Sequence, residues 1–267
     1  MNLTRTAGRW VAIAATITLG ASLAIAQQKQ PTPKSEKEVE ALQAIFAAQD
    51  PDSRIKAADE LILKFADTEF KAIALHMAAV SYEQKNDFEK MVIYAERTLQ
   101  ADPEHYMSMI MLGRAIAMRT REHDLDREEK LAAAEKHARS AQKLLETAPK
   151  PNPQLTDEQW EGAKKDFRAQ TREALALSAM VRKKYDVAVT EFKAAVEEAS
   201  QPDPTSMVRL AQAYNLTGKH DESLALIEKI MALPDLHPTI RQFAQAERVR
   251  ATQGKGGVAP KPAADAP

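Results

Sequence analysis

A helical stamp recurs five times along this chain and constrains its fold more than any other feature. A bulky residue is followed three positions later by a small one, four later by a bulky residue or Ala, and three later by a usually small one. The clearest copies are Phe88–Met91–Ala95–Thr98 and Tyr185–Ala188–Phe192–Ala195. Looser copies are Ile55–Ala58–Ile62–Phe65, Leu131–Ala134–Ala138–Ala141 and His220–Ser223–Ile227–Ile230. Steps of three and four keep all four positions on one face of an α-helix. The small residue lets a second helix approach closely. Recurrence of such a face predicts paired helices stacked in an array, each burying its apolar side on the next.

Composition agrees. Aromatic residues make up 5% and there are eight glycines, too few strand formers and Gly turns for a β-rich fold. Between the tails, Pro falls at helix boundaries, and Ala, Glu, Lys, Leu and Arg dominate. Arg5 and Arg9 precede an apolar run, Trp10 to Ala26, ending in Ala24-Ile25-Ala26. This is the pattern of a Sec-type secretory signal cleaved after Ala26. An uncleaved inner-membrane anchor is the alternative, since the run is near the lower length limit for spanning a bilayer. Cleavage would place the protein in the periplasm or outside the cell. It would leave 35 basic and 38 acidic residues, a balance unlike that of a nucleic-acid binder. The chain has no Cys, which excludes disulfides, thiolate metal sites and a Cys nucleophile.

The domain reading is a signal at 1–26, a flexible spacer at 27–37, a helical array at 38–252 and a disordered Pro/Ala/Gly tail at 253–267. Val39, Leu42, Ile45 and Phe46 give the first helical stripe, followed by a helix from about Ser53 to Ala66. The next pair spans about Lys71 to Gln84 and Phe88 to Ala101, ended by Pro103. A third pair has Met109, Leu112 and Ile116 on its first helix and Leu131 to Ala141 on its second. After Pro149-Lys-Pro151-Asn-Pro153, Thr156 starts a capping-box pattern and a long helix from Asp157 to Lys183. Tyr185 opens its partner. The last pair turns at Gly218, and Pro238 starts a closing helix with Ile240, Phe243, Ala244 and Val249 apolar. Its wet outer face carries Arg241, Gln245, Arg248 and Arg250, as a cap requires.

The small residue of the stamp falls at Ala58, Met91, Ala134, Ala188 and Ser223, so copies lie 33, 43, 54 and 35 residues apart. Two intervals sit beside the period of about 34 that marks tetratricopeptide repeats. The excesses map to Thr120–Glu129 and Pro149–Lys165. On Tyr82, Phe88 and Pro103, on Met109, Leu112-Gly113 and Ala134, on Leu175, Ala188, Phe192 and Ala195, and on Leu210, Tyr214 and Gly218, residues 39 to 251 resemble the tetratricopeptide repeat family. Trp is missing from its usual first position, and Met91 and Ser223 stand where the family has Ala. The resemblance implies an all-α, right-handed solenoid of about five helical hairpins plus a capping helix. It implies a concave groove, lined by the first helices, that binds a peptide or partner helix. The groove positions it assigns are His76, Val80, Met107, Met111, Arg114, Met118, Glu173, Leu177, Met180, Gln212 and Asn215.

Met107, Met111, Arg114 and Met118 share one helical face, which suits a recognition groove, core packing between repeats or, more weakly, copper(I) ligation. The six His show no metal motif. His76 reads as a solvated surface residue or a partner contact, His220 as structural. Trp160 reads as packing the inserted helix onto the array or as an exposed anchor for a partner. Asn215-Leu-Thr217 matches a glycosylation sequon at a helix end. No phosphate loop, nucleophile elbow or acid–base carboxylate pair is evident. The function expected is a non-catalytic, cofactor-free, protein-binding scaffold or assembly factor of the cell envelope. The alternatives are a membrane-anchored adaptor of an envelope or cell-wall complex, and a hydrolase or metal carrier with an unrecognised site.

Overall fold

The computed structural model describes residues 31–256, so the signal expected at 1–26 and the tail after Gly256 lie outside the described residues. Eleven α-helices follow one another there, with no strand among the described residues. They form five antiparallel pairs: α1 (Glu36–Ala47) with α2 (Pro51–Lys64), α3 (Lys71–Gln84) with α4 (Phe88–Ala101), α5 (Tyr106–Arg119) with α6 (Arg127–Thr147), α7 (Asp157–Val181) with α8 (Tyr185–Glu198), and α9 (Pro204–Leu216) with α10 (His220–Met231). A single helix, α11 (Pro238–Lys255), closes the array and runs past the expected tail boundary at 253. Helix starts follow local chemistry. Ser35, Asp50, Asp87 and Asp203 each accept a hydrogen bond from a first-turn amide, and Thr156 with Gln159 completes the expected capping box. The first helix starts at Glu36, two residues before the array was expected to begin, because Ser35 caps it and Lys34 reaches Asp67.

Three pairs turn in the same way. At the ends of α3, α7 and α9, the residues Asn86, Lys183 and Gly218 adopt φ of 57°, 59° and 74°. In each, the next N–H reaches back to the third-last helical carbonyl: Asp87 to Tyr82 (2.9 Å), Lys184 to Ala179 (2.9 Å) and Lys219 to Tyr214 (2.8 Å). This left-handed closure satisfies end carbonyls and reverses the chain in two residues. The opening bulky residue of the stamp, Phe88, Tyr185 or His220, then starts the second helix at once. The α5–α6 turn departs from the rule. Thr120 is extended, and the inserted turns at 121–126 are held by Lys130 to Asp124 and Asp126. At the end of α7, Arg182 pairs with Glu128 and Glu135 of α6, and Lys183 with Glu122 of the insertion. The second stretched interval is the 148–156 connector plus the extra turns of α7. Trp160 is buried there, its indole N–H donating to the Ala148 carbonyl at 3.2 Å, with Phe167 edge-on to it and to Tyr106.

The stamp is the packing face. Met91, Ala95 and Thr98, then Leu131, Ala134, Ala138 and Ala141, then Ala188, Phe192 and Ala195, then Ser223, Ile227 and Ile230, are all buried. In the loosest copy Leu61 takes the buried place expected of Ile62. Gly113 allows a close helix contact: an added Cβ would stand 3.1 Å from the Ala134 carbonyl oxygen on α6. Gly113→Val should therefore lower unfolding free energy by about 1–3 kcal/mol, read from the urea midpoint.

Two expected stripes are corrected at the ends of the array. Phe46 is exposed; Glu38 is buried instead, accepting from the Thr68 hydroxyl at 2.6 Å. On α11, Phe243 and Val249 are exposed, and Ala244, Glu247 and Ala251 face inward. Terminal helices pack on one flank only, so an apolar residue off that flank stays wet. Arg250 also leaves the expected outer face and pairs with Glu247.

Candidate functional site: the layer of first helices

The first helices α3, α5, α7, α9 and α11 touch one another directly through polar side chains, so they form one continuous layer. Between α3 and α5, His76 Nδ1 lies 2.9 Å from the Ser108 hydroxyl. His105 caps α5, its Nδ1 accepting from the Ser108 N–H at 3.3 Å, and its ring stands 4.6 Å from that of His76 at a 48° tilt. An imidazole accepting at Nδ1 is neutral and carries its proton on Nε2. Burial, and secondarily the field of His105, pushes the His76 pKa down to about 3. Burial lowers His105 as well, against the opposing pull of Asp102.

From α5 to α9 the bridge is ionic. Glu173 of α7 is buried, its side chain 6% exposed, and it receives Arg114 Nε of α5 at 2.9 Å and Arg209 of α9 at 2.6 Å. The Ser206 hydroxyl adds a bond at 3.2 Å, and Gln170 accepts weakly from Arg114 at 3.5 Å. Between α9 and α11, the Asn215 amide donates to the Glu247 carbonyl and carboxylate, both at 2.9 Å. Burial raises the Glu247 pKa, and Asn215 and Arg250 oppose the rise. The sequon asparagine is thus engaged in holding α11.

The expected groove residues divide accordingly. His76, Arg114, Glu173 and Asn215 are brought into the layer as stitches between successive pairs. Met111 is corrected from open flank to core: it is 8% exposed and belongs to the apolar cluster with Ala74, Ala78 and Met91. Glu173 is likewise buried beneath its arginines. Val80 packs against that cluster, and Leu177 and Met180 pack beside Ala176 and Phe192. Met107 and Gln212 are partly exposed, and Met118, one turn beyond Arg114, is 52% exposed. His76 is not the fully solvated residue expected, since its ring is half-buried against His105 and Ser108. His220 is structural: its ring fills the space beside Gly254, where an added Cβ would collide with it.

The missed partners obey a simple rule. His76 meets Ser108, 32 residues on; Glu173 meets Ser206 and Arg209, 33 and 36 on; Asn215 meets Glu247, 32 on. Residues one repeat length apart meet between neighbouring pairs, as residues four apart meet along one helix. Among the described residues no group of three or more His, Asp or Glu is placed to hold a metal ion.

Since both stacked histidines sit below their ordinary pKa, the unfolded chain binds more protons than the folded one in acid. Stability is then full above about pH 6.5 and falls as pH drops toward the folded values, by up to about 1.4 kcal/mol per pH unit for each ring kept neutral. Urea unfolding at pH 7 and pH 5 checks this; equal midpoints would contradict it.

This architecture defines a solenoid of helical hairpins with a stitched first-helix layer. A tetratricopeptide repeat family model matches residues 72–105, which are α3, α4 and the turn after them. The solved structure of a thermophilic TPR protein from Thermus thermophilus aligns over 79% of this chain and 99% of its own, at 16% identity and a TM-score of 0.53. A tetratricopeptide repeat protein from Parabacteroides merdae aligns over 84% and 92%, at 15% identity and a TM-score of 0.41. An assembly chaperone of RpL4 aligns over 83% and 98%, at 12% and 0.47. No curated protein matches the sequence. Residues 72–105 are thus similar to a tetratricopeptide repeat, and the hairpins stacked on either side share the fold of the Thermus thermophilus protein.

Proposed function

We propose that this protein is a non-catalytic scaffold or assembly factor of the cell envelope that binds a peptide or partner helix along its first-helix layer. The observation that carries this reading is the continuity of the layer. Side-chain bridges run from α3 through α5, α7 and α9 to α11 and fix the spacing of successive hairpins. Such a surface is preorganised to receive an extended segment, which reduces the ordering cost of binding. The match of residues 72–105 to the tetratricopeptide repeat family, whose proteins bind protein partners, supports the same reading. Met118 supplies an adaptable apolar contact in the layer, with Met107 on the same helix.

Met107→Glu with Met118→Glu should abolish capture of the partner from envelope extracts of the native host and leave the melting temperature near wild type. Capture that survives both substitutions contradicts the assigned surface. Export is the second half of the proposal. The intact mass of protein recovered from the host should correspond to a chain beginning at Gln27. A mass retaining residues 1–26 would favour instead the adaptor anchored through Trp10 to Ala26.

A further inference from the structure

We propose that the His76–His105–Ser108 contact is an acid-sensitive joint, through which protonation loosens the second helical pair from the third. The geometry sets two requirements that acid breaks. His105 caps α5 with an Nδ1 lone pair, and a protonated imidazole has no lone pair to offer the Ser108 N–H. The two rings are 4.6 Å apart, so charging both sets like charges against each other in a half-buried place. Closed, the joint requires neutral rings; open, the rings titrate as ordinary histidines.

The pair sits on α3 and α5 beside the α4–α5 turn, and among the described residues the one carboxylate that acts on either ring is Asp102. From the turn, Asp102 favours the charged form of His105, and burial outweighs it. The Glu104 N–H donates to that same Asp102 carboxylate. On α5, Tyr106 follows, its phenol pushed up by burial and uncharged in acid. On α3, the charged residues Lys71 and Glu83 lie more than a turn from His76 on either side. Ser108 is fully buried, so its hydroxyl serves the joint and is closed to substrates. The far half of α5 keeps its apolar anchorage through Met111 and Leu112 in the cluster shared with α3 and α4. Acid therefore frees the His105 end of α5 first, and the solenoid bends there instead of unfolding. The control is α9, whose start is capped by the Asp203 carboxylate and carries no imidazole.

Amide hydrogen exchange on the full chain at pH 7.0 and 4.5, corrected for intrinsic rates, tests the joint without reference to any partner. Each ring that must be neutral when closed raises opening about tenfold per pH unit below 6.5. Protection of the Ser108 and Met109 amides should fall about a hundredfold or more, while the first turn of α9 changes little. The His76→Gln/His105→Asn double variant keeps a capping side chain but has no imidazole to titrate there, so it should lose the selective fall. An equal fall at α9, no fall at α5, or an undiminished fall in the variant overturns the proposal. Should the variant fail to fold, imidazole titration by NMR in wild type decides. Both rings staying neutral well below pH 6.5 supports the joint; both titrating near 6.5 overturns it.

Discussion

Replacing Ala188 with arginine unfolds the central part of the array. Ala188 is fully buried on α8, in the cluster formed by Ala176 and Ala179 of α7, Phe192 of α8, and Leu210 and Ala213 of α9. A longer side chain there must push three helices apart, and its guanidinium would enter an apolar contact with no carboxylate partner. The loss should exceed about 4 kcal/mol, at the extreme of single substitutions. Thr190→Arg, two residues away and exposed, should shift the urea midpoint hardly at all. The contrast matters more than either value. Equal stability of the two variants would mean that the stamp is not the packing face.

Glu173→Lys has the next largest expected effect. It removes the acceptor for Arg114, Arg209 and Ser206 together and places a third cation between two arginines. Breaking a buried ion pair from one side costs about 3–5 kcal/mol, and part of that is relieved because both arginines reach water. Glu173→Gln keeps an acceptor oxygen and should cost only about 1–2 kcal/mol. In a solenoid each pair contacts only its neighbours, so loss of this bridge should also uncouple the two ends of the array. Unfolding followed at Trp160 and by far-UV circular dichroism should cease to coincide in Glu173→Lys. Coincident transitions in both variants would show that the bridge does not couple the pairs.

Most of the fold was legible in the sequence because helix faces, caps and Pro stops are local signals. The stamp located α2, α4, α6, α8 and α10, and the two stretched intervals located the 121–126 insertion and the lengthened α7. The errors lie where helices have one neighbour instead of two. Phe46, Phe243 and Val249 have helical spacing but no second surface to cover them, while Glu38 and Glu247 are buried because Thr68 and Asn215 satisfy them. The site was half legible. His76, Arg114, Glu173 and Asn215 lie on the first helices, where the resemblance put them, but their partners lie a repeat length or more away in sequence. A helical wheel sees only its own helix, so it could not tell an open flank from a stitch. Met111 went to the core for the same reason: the neighbouring pair that buries it is invisible to spacing along α5.

The central claim is that this stitched layer binds a protein partner, and one comparison tests it most directly. Wild type and Met107→Glu/Met118→Glu are each immobilised and exposed to the native host's envelope extract, with melting curves recorded for both. Wild type should retain a stoichiometric protein partner that the variant does not, with melting unchanged. Retention of the same partner by both forms, or no protein retained by wild type, would contradict it.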